Sequence, residues 1–194
     1  MLAPVPPALD RAALAAALGA ARHGGVAVPV AGFAAARLHV LAGEGGGLAA
    51  ALLGLAGGRV AWIWDGLASL PPWARLGLAA GRVLLVRTWN AAEALDAAAA
   101  ALGAPGFGGV ALAAPPEEAM LRRLRLATEA SGAMGFLLCP DAPLPCWRVR
   151  DVTASHPLAD PRWEVRRDRD APRLLTWRAA QGMLEEADVW REAG

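Results

Sequence analysis

The sequence contains no lysine and no tyrosine, and all 19 of its basic residues are arginine. Chemistry that requires a lysine amine is therefore excluded for this chain acting alone. Its three histidines are scattered, and its two cysteines are Cys139 and Cys146. Without a secretory signal we expect both to be reduced thiols. Because a metal site needs clustered ligands, the sequence predicts no metal.

The sequence also lacks an excess of either charge. Nineteen basic residues face 18 acidic ones, and the net charge of +1 gives no overall attraction to nucleic acid or to membranes. The longest uncharged run, 97–116, contains Pro105, Pro115 and Pro116, so we expect no membrane-spanning helix. We find no targeting segment and predict a cytoplasmic protein.

What the chain does have is apolar sequence: 56% of its 194 residues are hydrophobic, enough for a domain with a core. Apolar runs alternate with helical patterns. We predict strands at 37–41, 59–64, 82–87, 108–113 and 134–138, and helices at 8–22, 48–56, 72–78, 91–102 and 117–131. This alternation predicts an α/β fold with a parallel sheet core flanked by helices.

After residue 140 the pattern changes. Segments 146–152, 162–168 and 173–179 mix arginine with β-branched or aromatic residues, which favours an antiparallel β extension. "RDRDAP" (167–172) is a candidate hairpin turn, and we expect the tail, 181–194, to be a short helix or frayed. The chain is then one compact unit. Its parts are an N-terminal helix and lead-in (1–36), a core (37–140), and a C-terminal β extension and tail (141–194).

The run "GEGGGLAA" (43–50) lies between a predicted strand and a predicted helix, where a phosphate-binding loop G-x-x-x-x-G-K-[ST] would lie. Gly43 matches the first glycine, but Leu48 replaces the second. Ala49 and Ala50 replace the lysine and the hydroxyl that hold phosphate and Mg²⁺, and Glu44 adds negative charge. We therefore predict no cofactor and interpret the run as a structural turn that keeps Gly45, Gly46 and Gly47.

The order of elements resembles the RecA-type ATPase core and, more closely, the ImuA family of mutagenesis accessory proteins. The resemblance covers about residues 30–180. It depends on "LGLAAGRVLLVRTWNAAEAL" (76–95), "RRLRLATEASGAMGFLLC" (122–139), "CWRVRDV" (146–152) and "PRWEVRRDRDAPRLLTW" (161–177). It implies a RecA-like core in which the catalytic glutamate position falls near Gly66, beside Asp65, and the metal-binding aspartate position falls near Ala113 or Ala114.

Together with the altered loop, these positions imply that the chain is not an enzyme. The loops that would contact DNA, "AAPPEE" and "CPDAPLP", are short and poor in basic residues. The resemblance implies an accessory role in SOS-induced translesion DNA synthesis, through binding an ImuB-type polymerase-like partner and an error-prone DNA polymerase. RecA is a further candidate partner, contact with DNA is expected to be indirect, and a homo-oligomer is left open.

Two groups of residues are candidate contacts for a partner or for DNA. The first group is Arg122, Arg123 and Arg125 in a predicted helix. The second group lies in the β extension, our preferred interface, and is Trp147, Arg148, Trp163, Arg166, Arg167 and Trp177. Arginine and tryptophan are enriched at protein interfaces and also bind single-stranded nucleic acid. The alternative for the first group is a solvated helix face, and the alternative for the second is a hairpin with buried tryptophan and exposed arginine.

Five of the eight tryptophans form two predicted groups. We expect Trp62 and Trp64 to lie in the core, and Trp89, Trp147 and Trp190 are candidates for exposed anchors.

Two alternative functions stay open. One is a divergent nucleotide-binding regulator that uses the Gly43–Gly47 turn. The other is a SulA-type cell-division inhibitor, because the ImuA and SulA families share this reduced core.

Overall fold

A computed structural model describes residues 32–64, 70–115, 117–142, 145–156 and 159–188 of the chain. The predicted helix at 8–22, the positions Asp65 and Gly66, and Trp190 lie outside the described residues. No helix in these ranges is long and apolar enough to cross a membrane.

One mixed sheet organises the described part of the chain, in the order β3-β2-β4-β5-β1-β6-β7-β8-β9. The six strands from β3 to β6 in this order are mutually parallel, and β7, β8 and β9 continue the sheet in antiparallel pairing. The strands are β1 (Leu38–Gly43), β2 (Arg59–Trp64), β3 (Val83–Arg87), β4 (Phe107–Ala113), β5 (Met134–Leu138), β6 (Trp147–Asp151), β7 (Arg162–Arg167), β8 (Arg173–Arg178) and β9 (Met183–Asp188).

Helices cover both faces of the sheet, which confirms the predicted α/β class with its antiparallel C-terminal extension. Helix α1 (Gly46–Leu55) packs on one face, and α2 (Ala91–Gly103) and α3 (Glu118–Ser131) pack on the other. Short 3₁₀ turns at Trp73–Leu76 and Ala80–Arg82 connect β2 to β3. Six consecutive residues of α1 are buried, as expected for a helix that is apolar on all sides.

The sequence pattern Asn90-x-x-Glu93 predicts a capping box before the helix at 91–102, and the start of α2 confirms it. The Asn90 side chain accepts a hydrogen bond from the backbone N–H of Glu93 at 2.9 Å, and the Glu93 carboxylate accepts one from the N–H of Trp89 at 2.9 Å. Two of the N–H groups that have no partner within a helix are thus satisfied. This cap fixes where the chain leaves β3 and turns into α2.

Two features of the C-terminal part differ from the sequence-based prediction. Strand β6 runs parallel to β1, from the pair Leu41–Trp147 to the pair Gly43–Val149, so the antiparallel extension begins only at β7. The tail that we expected to be a short helix or frayed contains β9, which pairs with β8. Pairing with β8 and burial of Leu184 override the helix propensity of this segment.

Candidate functional site

The glycine turn after β1 is bonded to the neighbouring strands by its backbone. Gly43 has a φ of +84°, and a Cβ at this position would collide with the carbonyl oxygen of Val149 on β6. The N–H of Gly43 donates to the carbonyl of Pro140 at 3.0 Å, and the N–H of Glu44 donates to that of Val149 at 3.0 Å. The turn therefore needs glycine because β6 approaches closely, whether or not a phosphate binds.

An indole lies against the first turn of α1. The helix begins at Gly46 after Gly45, which provides no side-chain cap. A Cβ on Gly47 would lie only 3.1 Å from Cζ2 of Trp163, which reaches this turn from β7 and is 1% exposed. Free N–H groups at a helix N-terminus can hold an anion. In α1 these N–H groups lie beside the packed, apolar indole of Trp163.

The positions that replace the second glycine, the lysine and the hydroxyl of a phosphate loop are part of the core. Leu48, Ala49 and Ala50 of α1 are each fully buried in the core. The carboxylate of Glu44 accepts a hydrogen bond from the backbone N–H of Asp151 at 2.8 Å, so a negative group is fixed at the turn. The turn therefore stabilises the junction of β1 with β6. Residues 43–50 themselves have no positive side chain, although Arg148, Arg150 and Arg166 line a cavity with Gly43.

The two alanines at the metal-binding position line an apolar cavity. Ala113 ends β4 and Ala114 follows it; both line a cavity of 630 Å³ at the carboxyl ends of β3, β4 and β5, together with Trp89, Pro115 and Leu138. Ligands of open α/β sheets bind at this edge. The described lining has no carboxylate, histidine or arginine, so it supplies no charged group for acid–base chemistry. The described residues contain no group of three or more metal-ligating side chains.

Both cysteines are free thiols, as the sequence predicts. Cys146 is buried, and burial raises the pKa of its thiol above the usual value. Its Sγ lies 3.7 Å from the carbonyl of Ala142. A thiol with a raised pKa carries little thiolate, so Cys146 is a packing residue and not a nucleophile.

The tryptophans of the β extension are core residues and do not fit the predicted contact surface. Trp147, Trp163 and Trp177 are 7%, 1% and 2% exposed and pack on the same side of the sheet as α1. The alternation of β7 and β8 turns these large side chains toward the helix because that face needs apolar cover. Trp62 is buried as predicted, whereas Trp89 is 74% exposed.

Three arginines of β6 and β7, namely Arg148, Arg150 and Arg166, lie on the opposite, open face. Arg148 is directly opposite Arg166, and both are exposed without an ion pair among the described residues. Two residue pairs further along, Arg150 is opposite Glu164 and forms an ion pair with it. We call Arg148, Arg150 and Arg166 the arginine face. It corresponds to the hairpin with buried tryptophan and exposed arginine that the sequence also allows.

The arginines of α3 do not join the arginine face. Arg122, Arg123 and Arg125 are all exposed, and Arg123 pairs with Asp96 on α2 at 3.0 Å. The structure does bring Arg125 together with Arg167 of β7, at a small cavity beside the amino end of β1. The two predicted basic groups therefore meet at this cavity and not on the arginine face.

The sequence analysis did not identify one exposed apolar surface, at the edge of the sheet. Strand β3 ends the sheet, and Leu84 and Leu85 on it are 51% and 41% exposed. Trp89 follows the strand, with the guanidinium of Arg87 at 4.3 Å from its ring centroid. We call Leu84, Leu85 and Trp89 the β3 edge surface.

Comparisons with known proteins assign no family. No family model matches the chain, and no curated protein matches it. Among solved structures the chain is similar to SulA from Pseudomonas aeruginosa, with 25% identity over 53% of this chain and 94% of that chain. The TM-score is 0.42, which is too low for the similarity to carry an argument about function.

Proposed function

We propose that this chain is a non-catalytic accessory protein that works by binding another protein. The role implied by its resemblance to the ImuA family is SOS-induced translesion DNA synthesis. The partner would be an ImuB-type polymerase-like protein acting with an error-prone DNA polymerase, and RecA is a further candidate. Contact with DNA would be indirect.

The observation that supports this proposal most directly is the filled phosphate loop. Trp163 packs on the first turn of α1, Ala49 is buried where a lysine would be needed, and Glu44 is bonded to β6. Triphosphate binding depends on positive charge and a metal ion. The described parts of the loop provide neither, which argues against the alternative of a nucleotide-binding regulator.

The β3 edge surface is the feature most suited to a protein partner. An edge strand exposes unpaired backbone N–H and C=O groups, and exposed apolar side chains beside it are typical of interaction sites. Consecutive residues of a strand point to opposite faces, so Leu84 and Leu85 flank the edge on both sides. A partner that adds a strand to β3 would cover both leucines and Trp89.

The arginine face is a second, polar surface for the same partner. Single-strand binders combine basic grooves with exposed aromatic rings. Here the aromatic rings of β6, β7 and β8 are buried on the other side of the sheet, which favours a protein over DNA as the ligand of Arg148 and Arg166.

The proposal is tested by capture of an ImuB-type polymerase-like protein. We expect Leu84→Ser/Leu85→Ser to reduce capture about fivefold or more, since truncating a hot-spot residue of an interface costs over about 1 kcal/mol. Leu126→Ser is the matched control, because Leu126 is a 59% exposed leucine on α3. Equal loss of capture in the double variant and in the control would contradict the proposal. Capture of a cell-division protein in place of the polymerase-like protein would also contradict it and would favour the SulA-type alternative.

A titration with labelled ATP and Mg²⁺ tests the non-catalytic part separately. We expect no saturable signal at millimolar ATP, since both the lysine and the hydroxyl are replaced by buried alanine. Saturable binding that Trp163 substitutions alter would show that the turn still holds a nucleotide.

A further inference from the structure

Three arginines from different parts of the chain line one small cavity. Arg37 precedes β1, Arg125 lies on α3, and Arg167 ends β7. The cavity has a volume of 110 Å³ and lies at the amino end of β1, away from the glycine turn at the carboxyl end of the same strand. His39, which is 6% exposed, belongs to its lining.

No carboxylate balances these charges within the cavity. The described lining has no aspartate or glutamate, and none of the three guanidinium groups forms an ion pair with a described residue. The next carboxylate along the chain, Asp168, accepts a hydrogen bond at 3.3 Å from the backbone N–H of Cys146. Like charges brought together repel, so an anion would stabilise the arrangement.

One of the three arginines packs on a buried ring. The guanidinium of Arg167 lies 5.7 Å from the ring centroid of the buried Trp147, a favourable cation–π distance. Arg37 and Arg167 line the cavity together with His39. Burial lowers the pKa of His39, and the charges of these two arginines lower it further. Nε2 of His39 lies 3.0 Å from the carbonyl oxygen of Ala34.

We propose that this cavity binds a single phosphate group, either as inorganic phosphate or as a phosphate monoester. Guanidinium groups match the oxygens of phosphate with paired, charge-assisted hydrogen bonds. The cavity has room for one tetrahedral oxyanion but not for a nucleoside, and a phosphodiester chain would need a run of further basic contacts. The site is independent of the proposed protein-binding function.

The test follows the His39 imidazole by NMR during titration of the full chain with inorganic phosphate, and then with phosphoserine. His39 reports from inside the cavity, so a bound anion changes its resonance. Arg125→Gln and Arg167→Gln remove cavity arginines. Arg122→Gln and Arg166→Gln are the matched controls, because they make the same charge change on α3 and β7 without lining the cavity.

We expect a saturable shift of the His39 resonance in the unmodified chain and in both controls, and binding weaker by about tenfold or more in each cavity variant. Phosphoserine saturating at lower concentration than inorganic phosphate would identify a monoester as the ligand, and the reverse would identify the free ion. Absence of a saturable shift up to about 10 mM phosphate would overturn the proposal. Equal weakening of phosphate binding in all four variants would also overturn the proposal. The same holds if, in a parallel titration, an oligothymidylate without a terminal phosphate is the only ligand that binds.

Discussion

Alanine substitutions at Gly46 and Gly47 test whether Trp163 covers the first turn of α1. Neither glycine has a positive φ, so alanine fits the backbone at both positions. Replacing glycine by alanine within a helix favours folding by about 0.5–1 kcal/mol. A Cβ on Gly46 would meet nothing within 4 Å, so Gly46→Ala should raise the free energy of unfolding by up to about 1 kcal/mol.

Gly47→Ala differs because of the indole. Its Cβ would lie 3.1 Å from Cζ2 and 3.3 Å from Nε1 of Trp163, closer than packed carbon atoms normally approach. The ring is 1% exposed and cannot move into solvent, so the core must shift by some tenths of an ångström. Overpacking of this kind costs about 1–3 kcal/mol. Gly47→Ala should therefore be less stable than Gly46→Ala by about this amount.

The measurement is urea denaturation followed by far-UV circular dichroism, with m-values compared to confirm that the unfolded state is unchanged. In a Trp163→Leu background the contact is absent, and Gly47→Ala should become as favourable as Gly46→Ala. If the two alanine variants are equally stable in the unmodified chain, Trp163 does not lie on this turn. The argument that the phosphate site is filled would then fail.

Three further predictions use the same denaturation assay. Burial lowers the pKa of His39, so below about pH 6.5 the unfolded chain binds a proton that the folded chain does not. The free energy of unfolding should therefore decrease as the pH falls, by at most about 1.4 kcal/mol per pH unit. His39→Gln should remove this pH dependence. Asn90→Ala should cost about 1 kcal/mol by removing the cap on the N–H of Glu93, whereas Asn90→Asp should preserve it. Gly77→Ala should cost more than about 1 kcal/mol, because φ is +73° and a Cβ would lie 2.5 Å from Cζ2 of Trp177.

The parallel core could be predicted from sequence because its signals are local. Strand β2 lies where the apolar run 59–64 predicts it, and α2 begins at the predicted Asn90 cap. Buried parallel strands are apolar on both faces, so their recognition does not require knowing which face a helix covers. The hairpin turn was equally local: the N–H of Asp170 donates to the carbonyl of Arg167 at 2.8 Å.

The candidate surfaces could not be predicted because they depend on packing partners. In an alternating strand such as β7, the pattern alone allows Trp163 to face solvent or core, and the position of α1 decides between them. The same choice sends Arg166 to the open face. Strand β9 depends on pairing with β8 and on burial of Leu184, and neither is encoded within 183–188 itself.

One substitution at the glycine turn would not create a nucleotide site. A lysine at position 49 would have to bury its charge, since Ala49 has no exposed surface, and Trp163 would still cover the turn. Glu44 would repel phosphate while bonded to β6. Because strands of the C-terminal extension supply these obstacles, the extension and a nucleotide compete for the same end of α1. We therefore expect this chain to act through other surfaces, such as the β3 edge surface and the exposed arginines.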